Sequence, residues 1–293
     1  MRVFITGASG FIGTAIVQEL LGAGHHVLGL ARSNESAEKL IAAGAEVHRG
    51  SLDDLDSLRR GAAASDGVIH LAYNHNFIEY EAAGQTDRHA IEALGETLAG
   101  SDRALVVTAG LAGFNLGRPV TEEDSAAASP RMSEVAALAL AAQGIRASVI
   151  RLAPSVHDRG DQGFVPTLIN IARQTGVAAY VGEGLNRWPA VHRLDAARLF
   201  RLALEQGTAG ARYHGAADEG IPMRDIAAII GRHLNLTVVS KTPEEAAAHF
   251  GWMGRFVGMD ASASSALTQQ RLGWHPTQPG LLADLEEGDY FRK

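Results

Sequence analysis

The sequence predicts an α/β protein: a doubly wound parallel sheet with helices on both faces, followed by a smaller C-terminal α/β lobe. Three observations lead there. Short apolar, β-branched runs alternate with longer helical patterns up to Leu152. A glycine-rich turn, Gly7-Ala8-Ser9-Gly10-Phe11-Ile12-Gly13, follows the first run directly and opens a helical pattern. Past Pro154 the texture changes to shorter strands, more turn residues and the tryptophans. This divides the chain into a nucleotide-binding unit over 1–153 and a mainly substrate-binding lobe over 154–293, with the Leu194–Glu205 helix packing back on the first unit.

The strand candidates of the first unit are Val3–Thr6, His26–Leu30, Ala45–His48, Val68–Leu71, Ala104–Thr108 and Ala147–Leu152. Between them, Ile12–Leu21 places Ile12, Ile16, Val17, Leu20 and Leu21 at helical spacing and stops at Gly22 and Gly24. Ser36–Ala43 repeats that arrangement and ends at Gly44, and Leu55–Arg60 follows the third strand. In the second lobe the pattern gives a helix near Val165–Thr175, a strand at Ala178–Val181, a helix at Leu194–Glu205 and a strand at Arg212–Gly215. Helices near Met223–Leu234, Pro243–Phe250, Ala263–Leu272 and Gly280–Tyr290 complete it.

Composition excludes several classes of function. A net charge of −7 speaks against general affinity for nucleic acid or anionic membranes, which reward a basic face. With no cysteine there are no disulfides, thiolate metal sites or cysteine nucleophiles. The twelve histidines show no paired ligand spacing, so no metal is expected. No apolar run approaches the length of a membrane span, and the chain begins on a strand pattern without a signal-like segment. A cytoplasmic location and a small-molecule partner are therefore expected.

The glycine turn suits a pyrophosphate cradle of the Rossmann type: Gly7 for the tight bend, Gly10 for close approach of the backbone, Gly13 for packing of helix on strand. An acidic residue at the end of the second strand would accept from a bare ribose. This strand ends Gly29-Leu30-Ala31-Arg32-Ser33, and a guanidinium fork suits a 2′-phosphate, which selects NADP. The competing reading of Arg32 is an exposed loop arginine. Asp53 is placed to meet the adenine amino group, and equally to cap the helix that follows.

Thr6–Gly13, Ser51-Leu52-Asp53-Asp54, His70-Leu71-Ala72 and Arg151–His157 together resemble the extended and atypical short-chain dehydrogenases/reductases, including the NAD(P)-dependent epimerase/dehydratase group. Val191–Ala197 and Leu272-Gly273-Trp274-His275-Pro276 are similar to two further segments of that superfamily. The resemblance spans essentially the whole chain, and it is specific for the superfamily rather than for a substrate. It implies cofactor contacts from Gly7, Ser9, Gly10, Phe11, Ile12, Gly13, Arg32, Leu52, Asp53, Leu71 and Ala72, and nicotinamide contacts from Thr108, Pro154 and Val156. Relatives often pair through helices of the nucleotide domain, so a homodimer is one state the resemblance allows, and the sequence itself leaves the oligomeric state open.

The sequence departs from the superfamily at its chemistry. Registered on Glu134, the segment Ala127–Ala136 puts Arg131 at the position of the family lysine and Ala127 at that of the catalytic tyrosine. No tyrosine lies between Tyr80 and Tyr180. Thr108 is the one hydroxyl near the place of the family serine, and Asp87 replaces the structural asparagine. These departures resemble an atypical NADP-binding subgroup with a degraded tetrad. Arg131 is then a fixed cation for the nicotinamide ribose or a solvated arginine at the helix start. His157 is the first substitute acid, with a hydrogen-bonded loop histidine as the alternative. Tyr73, Asn74 and His75, just after the fourth strand, are expected to line the substrate pocket. Asn186, Arg187, Trp188 and His192 suit specificity contacts, or a packed hairpin with a satisfied histidine. The expected activity is NADP-dependent hydride transfer on a small carbonyl, alcohol or sugar-like substrate. The alternatives are a non-catalytic NADP-binding sensor and an epimerase/dehydratase.

Overall fold

The computed structural model describes residues 1–74, 80–114, 116–125 and 131–292. Ala127 and His75, both singled out above, lie outside the described residues.

The chain alternates β1 (Arg2–Thr6), α1 (Phe11–Gly22), β2 (His26–Ala31), α2 (Asn34–Ala42), β3 (Glu46–Arg49), α3 (Leu55–Ala63), β4 (Gly67–His70), α4 (Tyr80–Leu98), β5 (Ala104–Gly110), α5 (Ser133–Ala142) and β6 (Ala147–Leu152). Successive side chains of a strand point to opposite faces, and here both faces are buried. Val3 and Ile5 pack with Ile16, Val17 and Leu20 of α1 on one side. Phe4 packs with Leu58 of α3, Ile91 and Leu94 of α4 on the other. Strands covered on both faces read as continuous apolar runs rather than alternating ones, which is why β4 and β5 were legible from four or five residues each.

After β6 come β7 (Ser155–His157), α6 (Phe164–Thr175), β8 (Val177–Val181), β9 (Arg187–His192), α7 (Arg193–Gln206), β10 (Arg212–Gly215), β11 (Asp218–Pro222), α8 (Met223–Leu234), β12 (Thr237–Lys241) and α9 (Pro243–Phe250). A 3₁₀ turn over Gly251–Met253 leads into α10 (Gly254–Val257), α11 (Ala266–Leu272) and α12 (Leu281–Glu287). Two of these elements belong to the first layer. β10 pairs in parallel with β6, and Leu199 and Phe200 of α7 join the core that α1 helps to build.

The main sheet therefore has seven strands in the order β10-β6-β5-β4-β1-β2-β3, and its pairings are parallel. Strand order reverses between β4 and β1, the crevice at whose carboxyl end ligands of such sheets bind. The second lobe holds a three-stranded sheet, β11-β9-β7, and a two-stranded one, β12-β8. Its separate core gathers Val165, Leu168, Trp188, Ile226, Ile230 and Phe250, among others.

Candidate functional site

At the strand-order switch, β1 delivers the glycine turn. Gly7 has φ +73°, a left-handed conformation, and a methyl group there would sit 2.9 Å from the Ala72 nitrogen. Gly13 is still more constrained, since a Cβ would lie 2.1 Å from the Gly7 carbonyl oxygen. The turn closes through Gly10 N–H donating to the Gly7 carbonyl, 3.0 Å. Gly10 caps α1 without a side-chain hydrogen bond. The helix thus begins with first-turn amides and the positive end of its dipole directed at the crevice, which fits a diphosphate. Arg193, at the start of α7, lays its guanidinium over the Phe11 ring at 4.7 Å, with its charge paired to Asp158 at 2.9 Å.

Arg32 is exposed just past β2, with no hydrogen bond or ion pair among the described residues. Arg49, at the end of the neighbouring β3, donates to the Ser33 carbonyl at 2.8 Å and to Asn34 Oδ1 at 2.9 Å, bracing the loop that carries Arg32. Asp53 is exposed, and the cap of α3 belongs to Asp54, whose carboxylate accepts from Ser57 N–H at 2.9 Å. The two readings of Asp53 are thereby separated: capping falls to its neighbour. Leu52 lies half-buried beside it, and Leu71 and Ala72 donate their backbone N–H groups to Thr6 Oγ1.

A buried chain of hydrogen bonds runs from this turn to the far side of the crevice. Thr6 Oγ1 meets His70 Nδ1 at 2.9 Å, His70 Nε2 meets Asp87 Oδ1 at 3.0 Å, and Ser133 Oγ donates to Asp87 Oδ2 at 2.6 Å. Because Thr6 Oγ1 already accepts from two amides, its own proton goes to Nδ1, so Nε2 carries the proton given to Asp87. Each of these four side chains is nearly or fully buried. Ser133 in turn accepts from Arg131 Nε at 3.2 Å, and Arg131 also donates to the Thr108 carbonyl at 3.3 Å. Asp87 thus acts through Ser133, as a positioning residue for Arg131. Thr108 Oγ1 donates to the His70 carbonyl at 2.9 Å, so its proton is engaged in tying β5 to β4.

Arg131 precedes α5 rather than standing on it, because the helix begins only at Ser133. Its guanidinium lies over the Tyr73 ring at 4.6 Å. A phenol and a fixed cation are therefore in contact at the carboxyl edge of β4 and β5, supplied by different segments from those that carry the superfamily's pair. Asn74 follows Tyr73 on the surface of this edge.

The second-lobe candidates are distributed otherwise. His157 corrects an expectation: it is fully buried, and its Nδ1 bonds Asp284 Oδ2 at 2.8 Å, so it cannot serve as an acid open to substrate. Burial depresses its pKa against the opposing pull of Asp284. His192 packs edge-on to it at 5.3 Å and accepts from Leu194 N–H, capping α7. Asn186 donates to the Val257 and Met259 carbonyls, and Arg187 pairs with Asp260 at 2.9 Å. These three are packed and satisfied, the hairpin alternative left open above. Trp188 is buried, yet it lines a small apolar pocket together with Ala112 after β5 and Pro154 after β6. Val156 sits beyond Pro154 on β7, half-buried against the first-layer core.

His70, Ser133, Arg49 and Arg193 were assigned no role by the sequence. His70 carried a signal, a polar residue closing an otherwise apolar buried strand. The other three needed tertiary contacts to be noticed.

A model of the NAD dependent epimerase/dehydratase family matches residues 3–97. An uncharacterised protein of Schizosaccharomyces pombe is 50% identical over 99% of this chain and 100% of its own length. The 4-hydroxy-2-methyl-3-oxo-4-farnesyl-3,4-dihydroquinoline-1-oxide ketoreductase of Stigmatella aurantiaca is 28% identical over 73% of this chain and 67% of its own. Among solved structures, a dTDP-glucose 4,6-dehydratase from Streptomyces venezuelae with NAD and TYD bound shares the fold, with TM-score 0.79, 19% identity, and coverage of 99% of this chain and 96% of that one.

Proposed function

The chain belongs to the NAD-dependent epimerase/dehydratase family of the short-chain dehydrogenases/reductases, and from that premise we propose that it is an NADP-dependent oxidoreductase acting on a small carbonyl or alcohol. The observation that carries the proposal is the Tyr73–Arg131 contact, a tyrosine ring beneath a held guanidinium, 4.6 Å to the ring centre, at the edge where a nicotinamide would lie. The ketoreductase relative supports the direction of the reading, since its name describes reduction of a ketone.

When bound, the nicotinamide dinucleotide supplies or accepts hydride at the substrate carbon. Every other requirement falls to the chain. Gly7, Gly10 and the start of α1 hold the diphosphate. Arg32 meets the 2′-phosphate, on a loop that Arg49 braces. Asp53 meets the adenine. As a carbonyl accepts hydride its oxygen gains negative charge, and Tyr73 passes its phenolic proton there to complete the alcohol. Arg131 stabilises the phenolate left behind, and the chain through Ser133, Asp87 and His70 keeps that cation from wandering. In the oxidative direction each step reverses. As a guanidinium, Arg131 positions and polarises without donating.

The rival reading, an NADP-binding sensor without turnover, rests on Ala127 at the tyrosine position. Titration calorimetry with NADPH and NADH, followed by NADPH oxidation against a panel of aldehydes and ketones, separates the two. We expect NADPH to bind at least tenfold more tightly than NADH, and Arg32→Asp to remove that preference. Tight NADPH binding with no turnover across the panel would establish the sensor instead, and equal loss of both coenzymes in Arg32→Asp would take the 2′-phosphate away from Arg32.

A further inference from the structure

The start of α1 lacks the ordinary restraints of a helix end, and what restrains it deepens the coenzyme reading and rests on it. Its cap, Gly10, brings no side-chain hydrogen bond, and the first turn carries no acidic residue. Thr14 N–H is the first to find a carbonyl behind it, that of Gly10 at 2.9 Å. The N–H groups of Phe11, Ile12 and Gly13 therefore precede the helical ladder, and among the described residues they meet no backbone carbonyl. A capping side chain would order such a turn by occupying one of these donors. A cradle for a diphosphate needs the order and the free donors together.

The restraint comes instead through a ring. Arg193 lays its guanidinium over Phe11, the first residue of α1, with 4.7 Å to the ring centre. A cation over an aromatic face is attracted to it without using any backbone donor. Two features fix that cation. In the parallel pairing of β7 with β9, His157 stands opposite His192, so the residues that follow, Asp158 and Arg193, leave the sheet side by side. Asp158 Oδ2 accepts from Arg193 Nη2 at 2.9 Å and from its Nε at 3.2 Å, while Asp158 Oδ1 accepts from Arg159 N–H at 2.6 Å. Further along, α7 runs beside α1 in the same direction, with Arg201 on Glu19 at 2.7 Å and Glu205 on His25 at 2.9 Å. The positive ends of two helix dipoles are thereby neighbours, and Asp158 offsets the charge that Arg193 brings to them.

We infer that Arg193 is a positioning residue for the coenzyme, acting through Phe11: anchored by Asp158, it holds the first residue of α1 so that the free amides of the turn keep the geometry a diphosphate requires. Its charge is engaged by Asp158 and the ring, so direct pairing with phosphate is not its role. The diphosphate is common to both coenzymes. Arg193 therefore serves NADPH and NADH alike, in contrast to Arg32, whose partner is the 2′-phosphate. Since Arg193 heads α7 and its anchor follows β7, the cradle formed by the first strand and helix is completed by chain that lies beyond β6.

The test is calorimetric titration of the whole protein with NADPH and NADH, in the wild type, Arg193→Met, Phe11→Leu and the double variant. Each single substitution should weaken both coenzymes roughly three- to tenfold. The double variant should bind no more than about twofold worse than the poorer single one, because the two residues act as one contact. Arg193→Lys, which keeps a cation for the ring and for Asp158, should recover part of the affinity. Melting temperatures without coenzyme report any general loss of fold, and Phe11→Leu carries the test alone if Arg193→Met fails to fold. The inference is overturned if either single substitution changes NADPH affinity less than about twofold, whatever it does to the melting temperature. It is overturned equally if the two effects multiply with Arg193→Met by far the larger, since Arg193 would then meet phosphate directly. Wild-type protein that binds neither coenzyme removes the dinucleotide reading and this inference together, whereas tight wild-type binding that Arg193→Met leaves intact removes this inference alone.

Discussion

The glycine turn and the segment 186–192 both looked like sites in the sequence, and the fold treats them in opposite ways. Around the turn, functional groups are left available: α1 starts without a side-chain cap, Arg32 and Asp53 are exposed, and a neighbouring aspartate takes the capping work. Along 186–192 the polar groups are consumed. Asn186 grips two carbonyls, Arg187 grips Asp260, and His192 caps a helix. A buried polar group without a partner is costly, so a polar-rich segment inside a lobe is first of all a set of debts between neighbours. Function is read from what remains exposed after those are settled.

The largest test of this contrast concerns Tyr73 and His157. Tyr73→Phe should lower kcat by roughly two to four orders of magnitude, the usual worth of a positioned general acid, with NADPH affinity unchanged by calorimetry. His157→Gln should leave kcat within a few-fold. The reverse outcome would return the acid to the second lobe and undo the assignment.

Gly13→Ala comes next. The added carbon would overlap a backbone oxygen at 2.1 Å, which no rotamer can relieve. A destabilisation of roughly 3 kcal/mol is expected, read as a fall of several degrees in melting temperature, together with loss of NADPH binding. Retained binding would mean that the turn is more yielding than its geometry implies.

In the second lobe, truncation should cost stability alone. His157→Ala leaves Asp284 without its partner in a part-buried site, and a loss of about 1–3 kcal/mol follows, measured by chemical denaturation. An equal loss of NADPH affinity would show that the lobe's buried pairs reach the crevice after all.

The smallest effect is a pH dependence. Burial raises the Asp161 carboxyl to about 6, against the lowering influence of Gly163 N–H and the Tyr290 hydroxyl. The folded state then holds a proton that the unfolded chain releases near pH 4, so this residue's contribution to stability falls as pH rises from about 4 to 6 and stays low above that. Asp161→Asn should therefore stabilise the protein by about 1–2 kcal/mol at pH 7 and leave it unchanged at pH 4, in paired melting curves. A gain of the same size at both values would exclude titration as the cause.

Much of the nucleotide-binding layer was legible because its signals are local. β6 and β10 were read with the observed ends, as were α8 and α9, and the carboxyl-edge glycines follow from steric needs of the backbone. The strands β7, β11 and β12 were missed. They are short or irregular, β11 pairs with a register shift at Asp218/Ile221, and partners distant in sequence create them. Assigning β10 to the second lobe failed for the same reason: its sequence position said nothing of its partner, β6. The segments Val191–Ala197 and Leu272–Pro276 were read as superfamily marks, and they prove to be each other's ligands, with Trp274 Nε1 donating to the Asp195 carbonyl at 2.9 Å. The Tyr73–Arg131 contact joins residues 58 positions apart in number, and nothing in their local patterns announces it.

The return of β10 to the edge of the main sheet has a mechanical consequence. The chain crosses between lobes after β6, back into α7 and β10, and out again toward β11, so the two halves are sewn by several seams rather than hung on one. A chain cut after Ala153 would strip β6 of its neighbour and uncover the side of α1 that α7 protects, leaving a sticky open strand. The nucleotide-binding half is a region of this molecule and not a detachable module.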